Sequence, residues 1–207
     1  GVGEHFTIGG DMTSYVATSV EDWKKGPPRY SIDLNAALWR CPKPVIIAVR
    51  GFCVGWGMVG LGASDIRLAS SDAKLGYSGA LRFFGGAGSG GFLERLGLQI
   101  PYAHAMDLLL TGRLVSAEEA CRMNLVNEVV APEALDARAM EIAESILRMP
   151  PMVQRTIKSA LRRVQTQTVR QLAQTTDREG RLYFHSNDFA EGLASWAEKR
   201  DPVWTGS

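Results

Sequence analysis

The sequence predicts an α/β protein, with a glycine-rich core over residues 1–131 and a helical region over residues 132–207. Three observations carry this reading. Glycine is in excess: 22 of 207 residues, about 11% against a usual value near 7%. Seventeen of the 22 lie within residues 1–91, so the first half needs special backbone and the second does not. The first half also holds short continuous apolar runs, the make-up of strands covered on both faces. Beyond residue 131 the apolar residues recur at helical spacing instead, as in Leu135, Ala139, Ile142, Ile146 and Met149.

Taken in chain order, Phe6–Met12 reads as a tight turn after a strand. Residues 14–30 are polar, contain Gly26-Pro27-Pro28 and read as a mobile loop. Ser31–Arg40 has Ile32, Ala36 and Trp39 at helical spacing. Pro44–Arg50 is a strand, Asp65–Ala69 a second and Ala73–Tyr77 a third. Gly51–Ala63 leaves room for a turn and about two turns of helix. Pro101–Leu110 is a helix stopped at Thr111-Gly112. Ser116-Ala117-Glu118-Glu119 is a capping box, followed by a strand over Leu125–Val130. Helices are expected over Pro132–Met149, Met152–Val164 and Thr168–Tyr183, and a last one, Asp188–Lys199, should bury Phe189, Leu193 and Trp196.

Composition excludes several classes. Hydrophobic residues at 45% and charged residues at 22% are ordinary globular usage, which argues against disorder. No apolar run approaches the roughly 18 residues of a membrane span. The opening Gly1–His5 lacks the basic and apolar regions of a signal peptide. A net charge of +1 gives no signal for nucleic acid. Cys41, Cys53 and Cys121 form no CxxC pair, which fits reduced thiols in a cytoplasmic protein without a structural metal.

Three glycine motifs carry the chemistry. Gly9-Gly10-Asp11 lets backbone approach a ligand closely, or simply turns the chain. Gly55–Gly60 spells GxGxxG, the dinucleotide fingerprint. Yet Gly51–Val54 intervene after the strand, and the following helix is too short for that unit. It is better read as a turn that presents N–H groups at a helix N-terminus. Gly85–Gly91 is followed by no lysine and so is not a P-loop; it is a surface loop or the wall of a pocket. Two N–H-presenting turns suit an oxyanion hole for a thioester or similar carbonyl. No Ser/His/Asp set accompanies them, and His5, His104 and His185 read as structural or solvated. No metal-ligand cluster is evident.

In this order the motifs resemble the enoyl-CoA hydratase/isomerase (crotonase) superfamily. The likeness runs through Phe6–Met12, Lys43–Phe52, Gly55-Trp56-Gly57, Ser64–Ser70, Leu110–Arg113, Ser116–Ala120, Leu125–Val130 and Glu198–Pro202, essentially the whole chain. The resemblance implies a spiral of ββα units with a C-terminal helical trimerisation region, hence a trimer or dimer of trimers. It implies an acyl-CoA substrate, with coenzyme A present only as part of that substrate. It assigns Gly10 and Trp56 as the oxyanion-hole N–H donors and Gly10, Asp11 and Met12 as contacts to the CoA nucleotide. Trp196 and Lys199 would help to cover CoA bound to a neighbouring subunit.

Two departures from the family pattern matter. The family's two acid–base glutamates should fall at Val59 and Gly79, so both carboxylates are missing from their expected places. A general acid or base is worth roughly 10²–10⁴ in rate, so ordinary hydration is expected to be weak. Tyr77, Ser78, Ser89 and Glu94 are the nearest replacements, with Ser89 as a pocket hydroxyl and Glu94 as a helix-surface charge. The chain also opens where the resemblance places the end of the family's second strand, which would leave an exposed sheet edge. Three readings follow: an enolate-stabilising acyl-CoA enzyme, including a decarboxylase or isomerase; a non-catalytic acyl-CoA binder; and, on Gly55–Gly60 alone, a nicotinamide-dependent oxidoreductase.

Overall fold

The apolar run after Pro44 forms β1, Ile46–Val49, and the next two expected strands form β3, Ile66–Ser70, and β4, Lys74–Gly76. A further strand, β2, Phe52–Val54, occupies what the sequence offered as a turn. The computed structural model describes residues 3–25, 36–77 and 91–207, the side chains of residues 167–181 excepted.

Two three-stranded sheets result. In one, β1, β3 and β6, Glu128–Val130, run parallel, with Ile46 opposite Ile66 and Leu68 opposite Glu128. In the other, β2 pairs parallel with β4, and β4 pairs antiparallel with β5, Val115–Ser116. The chain changes sheet between β1 and β2, and again between β3 and β4. Thr7 extends the second sheet by a parallel bridge to Cys53: its N–H donates to the Phe52 carbonyl and its carbonyl accepts from Val54 N–H. The expected strand over Leu125–Val130 is thus confined to its last three residues. Leu125 and Val126 instead donate their N–H groups to the Ala120 carbonyl and sit in the core.

Between the sheets runs a helix with no polar face, Trp56–Ala63, buried from Gly57 onward. Its Met58, Val59 and Leu61 pack with Val49, Leu75, Phe92, Leu96 and Leu108 into the main core. Each such side chain contributes about 1.5–3 kcal/mol by leaving water. Helix Phe92–Gln99 lies across it, and helix Tyr102–Thr111 ends as expected on Gly112 in the left-handed conformation. Ser116 caps helix Ala117–Arg122 by accepting Glu119 N–H, but the reciprocal half of the capping box is absent. The Glu119 carboxylate turns to Arg113 at 2.6 Å, which also holds Asp107.

Several expectations are corrected. Residues 14–25 are not a loop: Met12–Ala17 and Val20–Lys24 are helices capped by Asp11 and Ser19. They are held because Trp23 is buried against Phe184 and Phe189. Of Ser31–Arg40, residues 36–40 are helical and residues 31–35 lie outside the described residues. Pro132–Met149 starts with a tight turn and becomes helix at Leu135–Leu147. The two helices expected after Met152 are one, Pro151–Tyr183: proline stands at its first position, and Gln165-Thr166-Gln167 contains no breaker. Its Lys158 and Arg162, one turn apart, reach Asp65 at 2.6 and 2.8 Å and fasten the helix to the start of β3. The last helix, Asn187–Ala197, buries Phe189 and Leu193 as expected, but Trp196 is 37% exposed. Among the described residues no helix is long and apolar enough to cross a membrane.

Candidate active site

The site is built where the segment beside β2 meets the turn that follows β2. Thr7 continues the sheet, and its hydroxyl accepts Gly9 N–H at 3.1 Å, which turns the chain with Gly9 at φ +100°. Gly55, at φ +56°, turns the chain into helix Trp56–Ala63, and its own N–H is tied to the Gly76 carbonyl. These conformations favour glycine, and so does the packing. A Cβ on Gly55 would stand 3.3 Å from the Gly9 Cα, so the two turns lie against each other. Gly10 and Trp56 follow directly from these turns. The backbone N–H of neither donates to another described residue.

On the far side of Gly9-Gly10 the chain enters helix Met12–Ala17. Asp11 caps it, accepting Thr13 N–H at 3.0 Å and the Ser14 hydroxyl. Those donors, the Ser14 hydroxyl first, hold the Asp11 carboxyl below its usual pKa, so it is a carboxylate at neutral pH. Met12 turns inward against the cluster of Trp23, Phe184, Phe189 and Leu193.

The expected site residues divide accordingly. Gly10, Asp11, Met12 and Trp56 are brought together. Val59 sits one helical turn beyond Trp56, fully buried in the main core, and offers only methyl groups. Gly79, Ser78 and Ser89 lie outside the described residues, as does the Gly85–Gly90 part of the third glycine motif. Trp196 and Lys199 stand at the surface end of the last helix. Among the described residues no hydrogen bond joins them to the Gly10 or Trp56 turns. Glu94 is not a surface charge: both its carboxylate oxygens are buried and accept no hydrogen bond. The Tyr77 phenol is buried against Phe92, ring centroids 4.9 Å apart, and burial pushes its pKa well up. His5 sits edge-on to Phe52, His104 lies on helix Tyr102–Thr111 and His185 is exposed beyond Tyr183.

One residue of the site escaped the sequence reading. The Tyr15 ring lies on Gly10, so close that a Cβ there would fall 2.6 Å from its hydroxyl oxygen. That oxygen accepts Trp56 Nε1–H at 3.1 Å. The signal was the Asp11 cap, which announces a helix carrying Tyr15 one turn in.

A cavity of about 530 Å³ lies elsewhere, between helix Pro151–Tyr183 and the start of β3. Its charges are matched internally: Asp65 with Lys158 and Arg162, and Arg67 with Gln99 and the Leu125 carbonyl. Nor does the Gly55–Gly60 motif build a dinucleotide unit, because β2 separates it from β1 and its helix has only eight residues.

Comparison with solved structures makes this a crotonase-fold α/β protein. An enoyl-CoA hydratase/isomerase from Pseudoalteromonas atlantica superposes with a TM-score of 0.80 at 28% identity, over 98% of this chain and 78% of the other. A methylmalonyl-CoA decarboxylase reaches 0.81 at 20% identity, over 100% and 78%, a likeness of fold. The family model for enoyl-CoA hydratase/isomerase matches residues 1–207. An enoyl-CoA hydratase of Mycobacterium tuberculosis is 34% identical over 206 residues, 98% of this chain and 76% of the relative. A carnitinyl-CoA dehydratase of Salmonella arizonae is 32% identical over 216 residues, 100% of this chain and 79% of the relative. The chain belongs to the enoyl-CoA hydratase/isomerase family.

Proposed function

We propose that the protein binds an acyl-CoA thioester and stabilises its enolate between the N–H groups of Gly10 and Trp56. The observation that carries this is the contact of the Gly9 and Gly55 turns, which sets two uncommitted backbone donors beside each other. Fixed donors aimed at developing oxyanion charge need no reorganisation during reaction, and removing one such donor from an enzyme costs roughly 10²–10³ in rate. The N-terminal end of helix Trp56–Ala63 adds favourable potential for negative charge. Asp11 and Met12 border the CoA end of the site, and Trp196 and Lys199 would cover CoA on a neighbouring subunit of a trimer or dimer of trimers.

With Val59 in place of a carboxylate, and Gly79 at the second expected position, the site is suited to enolate chemistry without hydration, such as decarboxylation or isomerisation. A non-catalytic acyl-CoA binder is the second reading, favoured by that same methyl-lined wall at Val59. Calorimetry with acetyl-CoA separates these from no binding at all. Trp56 stands at the first helical position, where proline is tolerated and lacks the N–H. Trp56→Pro should therefore bind acetyl-CoA about tenfold more weakly than Trp56→Phe, the worth of about one hydrogen bond. Equal affinity of the two variants removes Trp56 N–H from the site. Rapid turnover of crotonyl-CoA would show that an acid–base pair exists after all.

A further inference from the structure

Tyr15 is placed as no other described phenol is. Its ring covers Gly10 and its hydroxyl oxygen accepts Trp56 Nε1–H, so it touches both residues that offer the backbone donors. Its position is set from behind by Trp23, edge-on at 5.5 Å, whose Nε1–H donates to the Tyr15 carbonyl. It is half-buried, within reach of solvent, whereas Tyr77 is sealed against Phe92. A hydrogen bond received by a phenol oxygen favours the phenolate and so makes the hydroxyl a better proton donor. Val59, facing the core one turn past Trp56, has no proton to give.

We propose that the Tyr15 hydroxyl is the catalytic group that delivers a proton to the α-carbon of the bound enolate; this rests on the acyl-CoA reading above. In the step, the enolate's electron pair forms the new C–H bond, the O–H bond of Tyr15 breaks, and the thioester carbonyl is restored. The phenolate left behind keeps the Trp56 Nε1–H hydrogen bond and takes its proton back from water. In reverse, the phenolate removes one α-proton, and the C–H pair becomes the enolate double bond.

The test is α-proton exchange of propionyl-CoA in D₂O, followed by NMR, beside calorimetry of propionyl-CoA binding. The wild-type protein should exchange one of the two prochiral α-protons selectively. Tyr15→Phe keeps the ring on Gly10. It should exchange about 10²–10⁴-fold more slowly, with affinity changed by no more than about threefold. Trp56→Phe, which keeps the backbone donor and removes only Nε1–H, should lose about tenfold in exchange. Binding without exchange by the wild-type protein, or exchange by Tyr15→Phe at the wild-type rate, overturns the assignment and leaves the acyl-CoA reading standing. Absence of propionyl-CoA binding overturns both.

Discussion

Gly10→Ala is a sharp probe of how the site is packed. The backbone of Gly10 is not in the left-handed region, so alanine brings no backbone strain, and the N–H remains. All of the effect must come from the added methyl. It would stand 2.6 Å from Tyr15 Cε2 and Oη and 2.8 Å from Cζ. Carbon atoms in contact prefer about 3.5–4.0 Å, so the ring has to retreat by about 1 Å. That stretches the 3.1 Å bond from Trp56 Nε1 past hydrogen-bonding distance. Overpacking of this kind costs about 1–3 kcal/mol, and a ring near the surface relaxes more easily than a central one, which points to about 1–2 kcal/mol. With a urea m-value of about 2 kcal/mol/M, the unfolding midpoint should fall by about 0.5–1 M. The decisive measurement is the same substitution in a Tyr15→Ala background. There the methyl meets open space, and its cost should shrink to within about 0.5 kcal/mol. An equal cost in both backgrounds would refute the placement of Tyr15 over Gly10.

Three further outcomes are expected. Asp65→Ala strips the carboxylate from Lys158, Arg162 and the Val45 N–H and leaves a lysine side chain only 7% exposed without its counter-charge. It should cost about 3 kcal/mol by urea unfolding, the lower end for a buried pair because Asp65 itself is partly wet. A loss under about 1 kcal/mol would show the pairs to be surface-like. The Cys53 thiol is buried, and burial pushes its pKa up to about 12. A maleimide at pH 7 should therefore label Cys41 and Cys121 first and Cys53 only on unfolding, with peptide mapping as the readout. Arg200, and then the Val203 N–H, draw the Glu191 carboxyl down to about 2 from an ordinary 4.5. Its folded value lies below the unfolded one, so its hold on the segment after the last helix is complete above pH 4.5 and lost as pH falls toward 2. Exchange protection of the Val203 amide should fall through that window; a flat profile contradicts the pairing.

How much of this was legible in the sequence depended on whether the cause was local. Pro44–Arg50 announced a strand because a run of apolar residues needs cover on both faces, and Thr111-Gly112 announced a helix end because glycine accepts the left-handed turn. The two glycine turns were legible for the same reason. The helices over 12–24 were not, because what holds them is Trp23 lying on Phe184 and Phe189 from the far end of the chain. The caps at Asp11 and Ser19 were local signals left unread beside the more obvious Gly26-Pro27-Pro28. Tyr15 escaped as a consequence: placed in a loop, it had no direction. Glu94 was misread because helical position alone cannot show what packs over it.

The position of Tyr15 gives the site an unusual mechanical character. Its floor, the Gly9 and Gly55 turns, belongs to the sheets and the main core. Its roof, Tyr15, is anchored in the aromatic cluster formed with Trp23, Phe189 and Leu193. The pocket is therefore a seam between two separately packed clusters, and its geometry is only as firm as the weaker of them. Loosening Phe189 would blunt the chemistry while the strands stayed paired. Heat should accordingly silence this protein some degrees before it unfolds it.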